Sequence, residues 1–323
     1  MRTMRLSYGY LYVGVAIGLT LLLSGCAAFN YTSPDAPVAL TSLTAMSPRP
    51  KIAVVLGSGG PRGYAHIGII KVLEENGVVP DLIVGTSVGA LIGSFWASGM
   101  SAQALDAKSR EGGPLTIFDL SPFADRGWIR GQRLQNYVNT ELGLPPPARS
   151  TSTSSSPLLE QLPRRLIVNA TRRADKLPVY FTTGNLGVAV RASSAIPNII
   201  SPVGINGVEY EDGDVTLPVA VQAARAAGAQ FIIAVDVSAH DGTAPPGTAA
   251  KWLESDAKRR AKISLETAAA DFVIHPDMGY TASPKRSYFD LCIATGEATA
   301  RQRMPELLAR LKAAGIMSQK SAL

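Results

Sequence analysis

Between Lys51 and Gly99 the chain runs twice through the same unit: a short apolar strand, a glycine-containing turn and a segment of helical period. "KIAVVLG", from Lys51, is a β-branched run of strand length. In "YAHIGIIKVLEENG", Ala65, Ile69, Val72 and Leu73 fall on one helix face, and Gly77 stands where a C-terminal cap belongs. "DLIVGTS" is a second strand. "VGALIGSFWASG" is a second helix, apolar on most sides and therefore expected inside the molecule. Two parallel strands need a crossover between them, and a helix supplies it. The pattern therefore predicts an α/β fold with a mostly parallel sheet.

Farther along, "RLIVNATRR", "LPVYFTTG" and "FIIAVDVS" read as strands. The stretch from Asp241 to Lys262 is polar and Pro/Gly-punctuated, then helical, and "GEATARQRMPELLARLKAAG" is a terminal amphipathic helix. Residues 145–163, "PPPARSTSTSSSPLLEQLP", are low in complexity and predict a mobile loop. No repeat or sharp change of composition divides residues 51–315, which are expected to form one domain.

The first turn is "GSGGPRG", Gly57 to Gly63. A dinucleotide fingerprint needs glycine at its sixth position, where Arg62 stands. A phosphate-binding P-loop needs Lys and then Ser or Thr after its last glycine, and Gly63 is followed by Tyr64. An oxyanion hole fits better. Residues without Cβ let backbone N–H groups turn toward one point, and the following helix adds its positive end. A plain tight turn is the competing reading.

The second turn, Gly85-Thr86-Ser87-Val88-Gly89, matches G-x-S-x-G between a strand and a helix. That is the setting of a nucleophile elbow. A serine hydroxyl attacks only when a base accepts its proton. The chain has three histidines. His66 lies on the first helix, where packing or a hydrogen bond accounts for it. His240 and His275 follow strands and would complete the chain order Ser, Asp, His with Asp212. Asp212 itself lies in "EYEDGDV", which also reads as a solvated Asp-Gly hairpin turn. Asp236 and His240 have a loose metal-like spacing, but no third ligand is marked, so no metal site is expected.

The N-terminus adds an address. Arg2 and Arg5 precede an apolar run from Val13 to Leu23, too short for a membrane span and fit for a signal peptide over residues 1–25. Leu23-Ser24-Gly25-Cys26 resembles a bacterial lipobox, in which Cys26 carries the lipid anchor. Ala27 after it resembles outer-membrane sorting, facing the periplasm. Ser-, Thr- and Pro-rich residues 26–50 are expected to form a lipidated N-terminus and flexible tether. Removing residues 1–25 takes away Arg2 and Arg5 and lowers the net charge from +6 to +4. That mild, scattered charge predicts no nucleic-acid partner. With Cys26 acylated, Cys292 has no disulfide partner, since the chain has two cysteines.

Taken together, "VVLGSGGPRGYAHIGIIKVLEENG", "PDLIVGTSVGALIGSFWASG", "VRASSAIPNIISPV" and "YEDGDVTLPV" resemble the patatin-like phospholipase family, in its order, over roughly residues 51–240. The resemblance implies a three-layer α/β/α fold and a Ser–Asp dyad without histidine. Ser87 matches the nucleophile and Asp212 the base. Gly59, Gly60, Arg62 and Gly63 match the oxyanion loop, with Val88 a further N–H, and Gly57, Gly85, Gly89 and Gly213 complete the motifs. It implies acyl-ester hydrolysis of phospholipid or another fatty-acyl ester, with no cofactor. Two residues depart from the common pattern. Ser58 replaces a glycine, and Asp214 stands where Gly or Ala is frequent. Asp214 either raises the pKa of Asp212 by like-charge repulsion or points to water. Two rival readings are a histidine-dependent α/β-hydrolase and a non-catalytic envelope lipoprotein that binds lipid or a protein.

Overall fold

A computed structural model describes residues 30–111, 114–143 and 156–317. The expected signal peptide over residues 1–25, Cys26 and residues 145–155 of the low-complexity segment lie outside the described residues. In chain order the first half contributes β1 (Asn30–Tyr31), β2 (Ala39–Leu40), β3 (Ile52–Leu56), α1 (Ala65–Glu75), β4 (Leu82–Thr86) and α2 (Val88–Ala97). The helices α3 (Ala102–Ser109), α4 (Pro114–Ile117) and α5 (Gln132–Glu141) follow. Next come β5 (Arg165–Arg172), β6 (Leu177–Phe181), α6 (Leu186–Ser193), β7 (Val203–Ile205) and β8 (Val208–Asp212). The chain closes with α7 (Val221–Ala226), β9 (Phe231–Val235), α8 (Ala250–Thr267), β10 (Phe272–Ile274) and α9 (Arg286–Ala313).

The strands form one ten-stranded sheet in the order β1-β7-β8-β5-β4-β3-β9-β10, with β6 joined to β5 and β2 joined to β6. The five strands from β5 through β4, β3 and β9 to β10 are mutually parallel. The antiparallel pairings gather beyond β5, where β8 and β6 both meet it. The mostly parallel sheet expected from the doubled strand–helix unit is therefore its central part.

Alternation along each parallel strand creates the layers. Val54, Leu56 and Ile83 share a core with Ile69, Ile70 and Leu73 of α1, Trp96 of α2 and Leu307 and Leu311 of α9. Ala53, Val55, Leu82 and Val84 share the opposite core with Val221, Ala223 and Ala224 of α7 and Ile263 of α8. A strand covered on both faces must be apolar at every position, which is why "IAVVL" lacks a polar alternation. The α2 helix is apolar nearly all round because the sheet and neighbouring helices bury Ala90, Ile92, Phe95, Trp96 and Ala97.

Two expectations change. Residues 30–50 do not hang free as a tether. Asn30–Tyr31 pairs with β7, Ala39–Leu40 pairs with β6, and the Met46 N–H donates to the Ala227 carbonyl at 2.9 Å. Asp35 accepts from the Tyr31 hydroxyl at 2.7 Å and from the Asn185 amide at 2.9 Å. The cause is the open edge of the antiparallel side, whose backbone groups need partners that a polar segment can supply. Likewise the end of the 145–163 segment is docked. Leu159 is buried and its N–H donates to the Gly184 carbonyl at 2.9 Å. The folded unit thus begins by Asn30, and residues 27–323 contain every described strand and both cores.

Candidate active site

Ligand sites of parallel sheets form at the carboxyl ends of the strands. Here β3 runs into the glycine loop, β4 into Ser87, and β9 into Asp236 and Val237. Strand register then brings in the acid. Thr86 pairs with Asn169 of β5, and the next β5 residue, Ala170, pairs on its other side with Asp212 at the end of β8. Ser87 and Asp212 therefore meet across one strand. The Ser87 hydroxyl donates to Asp212 Oδ2 at 2.7 Å, with both residues buried.

The elbow is strained as a nucleophile elbow requires. Ser87 has φ 56°, ψ −121°, a conformation that costs a non-glycine residue about 1–3 kcal/mol. Its backbone N–H donates to the Ser193 hydroxyl at 2.8 Å, which in turn donates to the Asn169 carbonyl at 2.6 Å. Gly89 permits the tight exit into α2, because a Cβ there would stand 2.0 Å from the Leu56 carbonyl oxygen. A side chain at Gly85 would strike Ala90, and one at Gly213 would strike Asn169. The α2 helix starts directly after the serine, so its positive end points at the hydroxyl's surroundings.

The glycine loop lies against this elbow. A Cβ on Gly63 would come within 2.3 Å of the Val88 side chain. Gly57 and Ser58 spend their N–H groups on the Val235 and Pro218 carbonyls, at 3.0 and 2.9 Å. Among the described residues, no acceptor faces the N–H of Gly59 or Gly60. Gly60 turns the chain with φ +54° and has open space around it. Arg62 differs from its expected place among the oxyanion donors. Its N–H donates to the Gly59 carbonyl at 3.2 Å, and its guanidinium donates to the carbonyls of Gly279 and Tyr280. Closing the 3₁₀ turn uses that N–H, so Arg62 fastens the loop instead of facing an anion.

His66 also serves the loop. Its Nε2 lies 2.8 Å from the Gly57 carbonyl, and burial pushes its pKa down to about 4, so the ring stays neutral and donates. His240 and His275 stack on each other at 3.9 Å, and His275 Nε2 lies 3.0 Å from the Ser238 carbonyl. They line a separate cavity with Asp271, Phe272 and Arg303. The partner of the Ser87 hydroxyl is Asp212, not a histidine. Asp236 accepts from the Ser238 N–H at 2.9 Å and lies 3.5 Å from His275. Among the described residues, no group of three or more His, Cys, Asp or Glu is placed to hold a metal ion.

The electrostatics at Asp212 depart from those of a surface carboxylate. Burial, then the neighbouring Asp214 carboxylate, push its pKa from 3.8 up to about 7. The Asp214 N–H donates to Asp212 Oδ1 at 2.8 Å, and the Thr171 hydroxyl holds the Asp212 carbonyl at 2.9 Å. The two residues that depart from the common motif touch each other. The Ser58 hydroxyl donates to Asp214, and Arg259 of α8 bridges both, through Nε to Asp214 at 2.8 Å and Nη2 to Ser58 Oγ at 3.0 Å. Asp214 therefore acts on Asp212 and is held by an ion pair, instead of simply facing water. Arg259 gave no sign in the sequence, since it sits in an ordinary polar helix. Asn169 and Ser193 were legible only as polar residues in apolar surroundings.

The family model described as "Patatin-like phospholipase" matches residues 54–225. An uncharacterized NTE family protein of Mycobacterium tuberculosis is 35% identical over 224 residues, covering 68% of this chain and 58% of its own. Lysophospholipase NTE1 of Yarrowia lipolytica is 30% identical over 205 residues, covering 60% of this chain and 13% of its own. This chain thus spans little more than half of the first relative and a small part of the second. The crystal structure of VipD from Legionella pneumophila superposes with a TM-score of 0.54 at 15% identity, over 85% of this chain and 69% of that one, a likeness of fold. On the match of the family model over more than half its length, the chain belongs to the patatin-like phospholipase family.

Proposed function

We propose that the protein is a serine acyl-ester hydrolase acting on fatty-acyl esters of membrane lipids, of phospholipase A, lysophospholipase or carboxylesterase type. The observation that carries the reading is the buried 2.7 Å hydrogen bond from Ser87 to an aspartate whose pKa stands near 7. A carboxylate with that pKa is still basic enough at neutral pH to take a proton from a hydroxyl in the transition state.

In the first half-reaction Asp212 Oδ2 accepts the Ser87 proton as Oγ bonds to the ester carbonyl carbon. The N–H groups of Gly59, Gly60 and Val88 receive the carbonyl oxygen as it becomes an anion. Asp212 then gives its proton to the departing alcohol as the carbon–oxygen bond breaks, leaving an acyl-serine. In the second half-reaction water attacks the acyl carbon while Asp212 takes its proton, and the proton returns to Ser87 as the fatty acid leaves. His66 and Arg62 hold the loop that carries the donors. Cys26, read as a lipidation site from its lipobox, would anchor the enzyme in the bacterial envelope, at the outer membrane facing the periplasm, beside such substrates.

Fluorophosphonate labelling and p-nitrophenyl-ester hydrolysis by residues 27–323 test the proposal. Ser87→Ala is expected to abolish labelling and to lower turnover by about 10⁴-fold or more. The double variant His240→Ala/His275→Ala is expected to keep activity. A folded Ser87→Ala variant that hydrolyses esters as fast as the wild type would sink the reading.

A further inference from the structure

Three of the most exposed large apolar side chains stand together, whereas others, such as Leu265 and Trp252 of α8, stand apart from them. Phe123 is 84% exposed, Trp128 70% and Leu120 68%, all on one short hairpin between Asp119 and Arg130. Leu120 and Ile129 bridge its two arms, and the Ser121 N–H donates to the Trp128 carbonyl at 2.9 Å. Beside it lie Ile199, 47% exposed, and Ile196, 37% exposed. The Trp128 and Ile129 N–H groups both donate to the Ile199 carbonyl, at 2.9 and 3.0 Å, so hairpin and loop form one surface.

This surface is built to stay exposed. At its turn Arg126 adopts φ +52°, held by ion pairs to Asp125 and Glu209. Asp119 caps α5 through the N–H groups of Gly131 and Gln132, at 2.6 and 3.0 Å. The buried Arg191 fastens the hairpin's end by donating to the Arg130 carbonyl at 2.8 Å. A hairpin pinned at its turn and base cannot fold its aromatic rings back into the core. A monomeric soluble protein rarely keeps such a contiguous patch without a use.

We infer that this hairpin and the Ile196–Ile199 loop form a docking surface that inserts into the headgroup–acyl boundary of a lipid bilayer. The inference rests on the ester-hydrolase reading for its direction, because the loop leads straight to the site. The carbonyl of Ala195, next to Ile196, accepts the Asp212 N–H at 3.0 Å. Docking there sets the dyad beside the membrane surface. The composition suits that occupant: an indole, a phenyl ring and branched aliphatics, which favour the interface. The exposed Arg130 closes the hairpin and complements anionic headgroups.

Binding of residues 27–323 to vesicles of equal parts phosphatidylcholine and phosphatidylglycerol tests this, with Phe123→Ser/Trp128→Ser as the variant. The variant is expected to need about tenfold or more lipid for half-binding. Its thermal midpoint and its turnover of a short soluble ester should match the wild type. Equal vesicle binding by both proteins, or no binding by the wild type, overturns the inference. So does a wild-type dimer in sedimentation that the variant breaks without losing vesicle binding. Vesicle binding by the hairpin with no turnover of any ester would instead sink the catalytic reading and leave the docking surface standing.

Discussion

At the scale of single residues, the site turns on how one carboxylate is kept basic. Burial provides the largest push on Asp212, the Asp214 charge the next, and Arg259 pulls the other way. Asp212 must be ionised to accept a proton, so turnover of a soluble ester should rise with pH through about 7. Asp214→Asn removes the repelling charge and leaves the cation, and should move that rise to lower pH. Arg259→Gln removes the cation and should move it to higher pH. A pH profile of kcat/KM on p-nitrophenyl butyrate reads both. Shifts in the same direction would contradict the charge bridge from Ser58 through Arg259 to Asp214. From sequence, Ser58 and Asp214 were two unrelated departures from a motif. Their contact depends on a hydrogen bond between residues far apart in the chain, which no local pattern encodes.

At the scale of elements, the strong signals were those with a period. The strands β3 and β4 and the helices α1 and α2 form as the spacing of their apolar residues predicts. The N-terminal segment reads as a tether in sequence but pairs with the sheet, because an edge strand of two residues has no period to recognise and its composition is that of a linker. Its docking depends on Asp35, which gathers the Tyr31 hydroxyl and the Asn185 amide. Asp35→Ala should cost about 1–3 kcal/mol of local stability, the usual effect of stranding such partners. Hydrogen exchange is the suitable measurement. The amides of Tyr31 and Leu40 should exchange faster while those of β3 and β4 stay protected. Unchanged exchange at both strands would show that pairing with β6 and β7 suffices without the carboxylate.

At the scale of the whole molecule, a base held near neutrality has a price in stability. Asp212 binds its proton more tightly in the folded chain than in the unfolded one, where its pKa is the ordinary 3.8. That contribution to stability is present at acid pH and is lost as pH rises through about 7. Asp212→Asn keeps the shape, its oxygen can still accept from the Asp214 N–H while its NH2 donates to Ser87 Oγ in place of accepting from it, and it carries no charge to desolvate. Thermal midpoints of variant and wild type should therefore lie close at pH 4 and diverge toward pH 8, with the variant the more stable. A constant difference across that range would mean the aspartate is not perturbed by its burial. Stability surrendered at a reacting group is a common cost of function.

The sequence by itself determined the α/β class, the doubled strand–turn–helix unit, the glycine loop and the serine elbow. These are written in neighbouring residues, where sterics and periodicity act over a few positions. Only the tertiary structure decided which group stands at the serine. Asp212, His240 and His275 all stand open as candidates in the residues alone, because strand register, not chain distance, determines who meets Ser87. The pairing of Ala170 with Asp212, one step beyond that of Thr86 with Asn169, closes the distance to a hydrogen bond. The same holds for the Arg259 bridge, the docked N-terminal strands and the aromatic hairpin beside the site. Each arises where segments far apart in sequence come to lie side by side, and burial, charge and hydrogen bonding act through space.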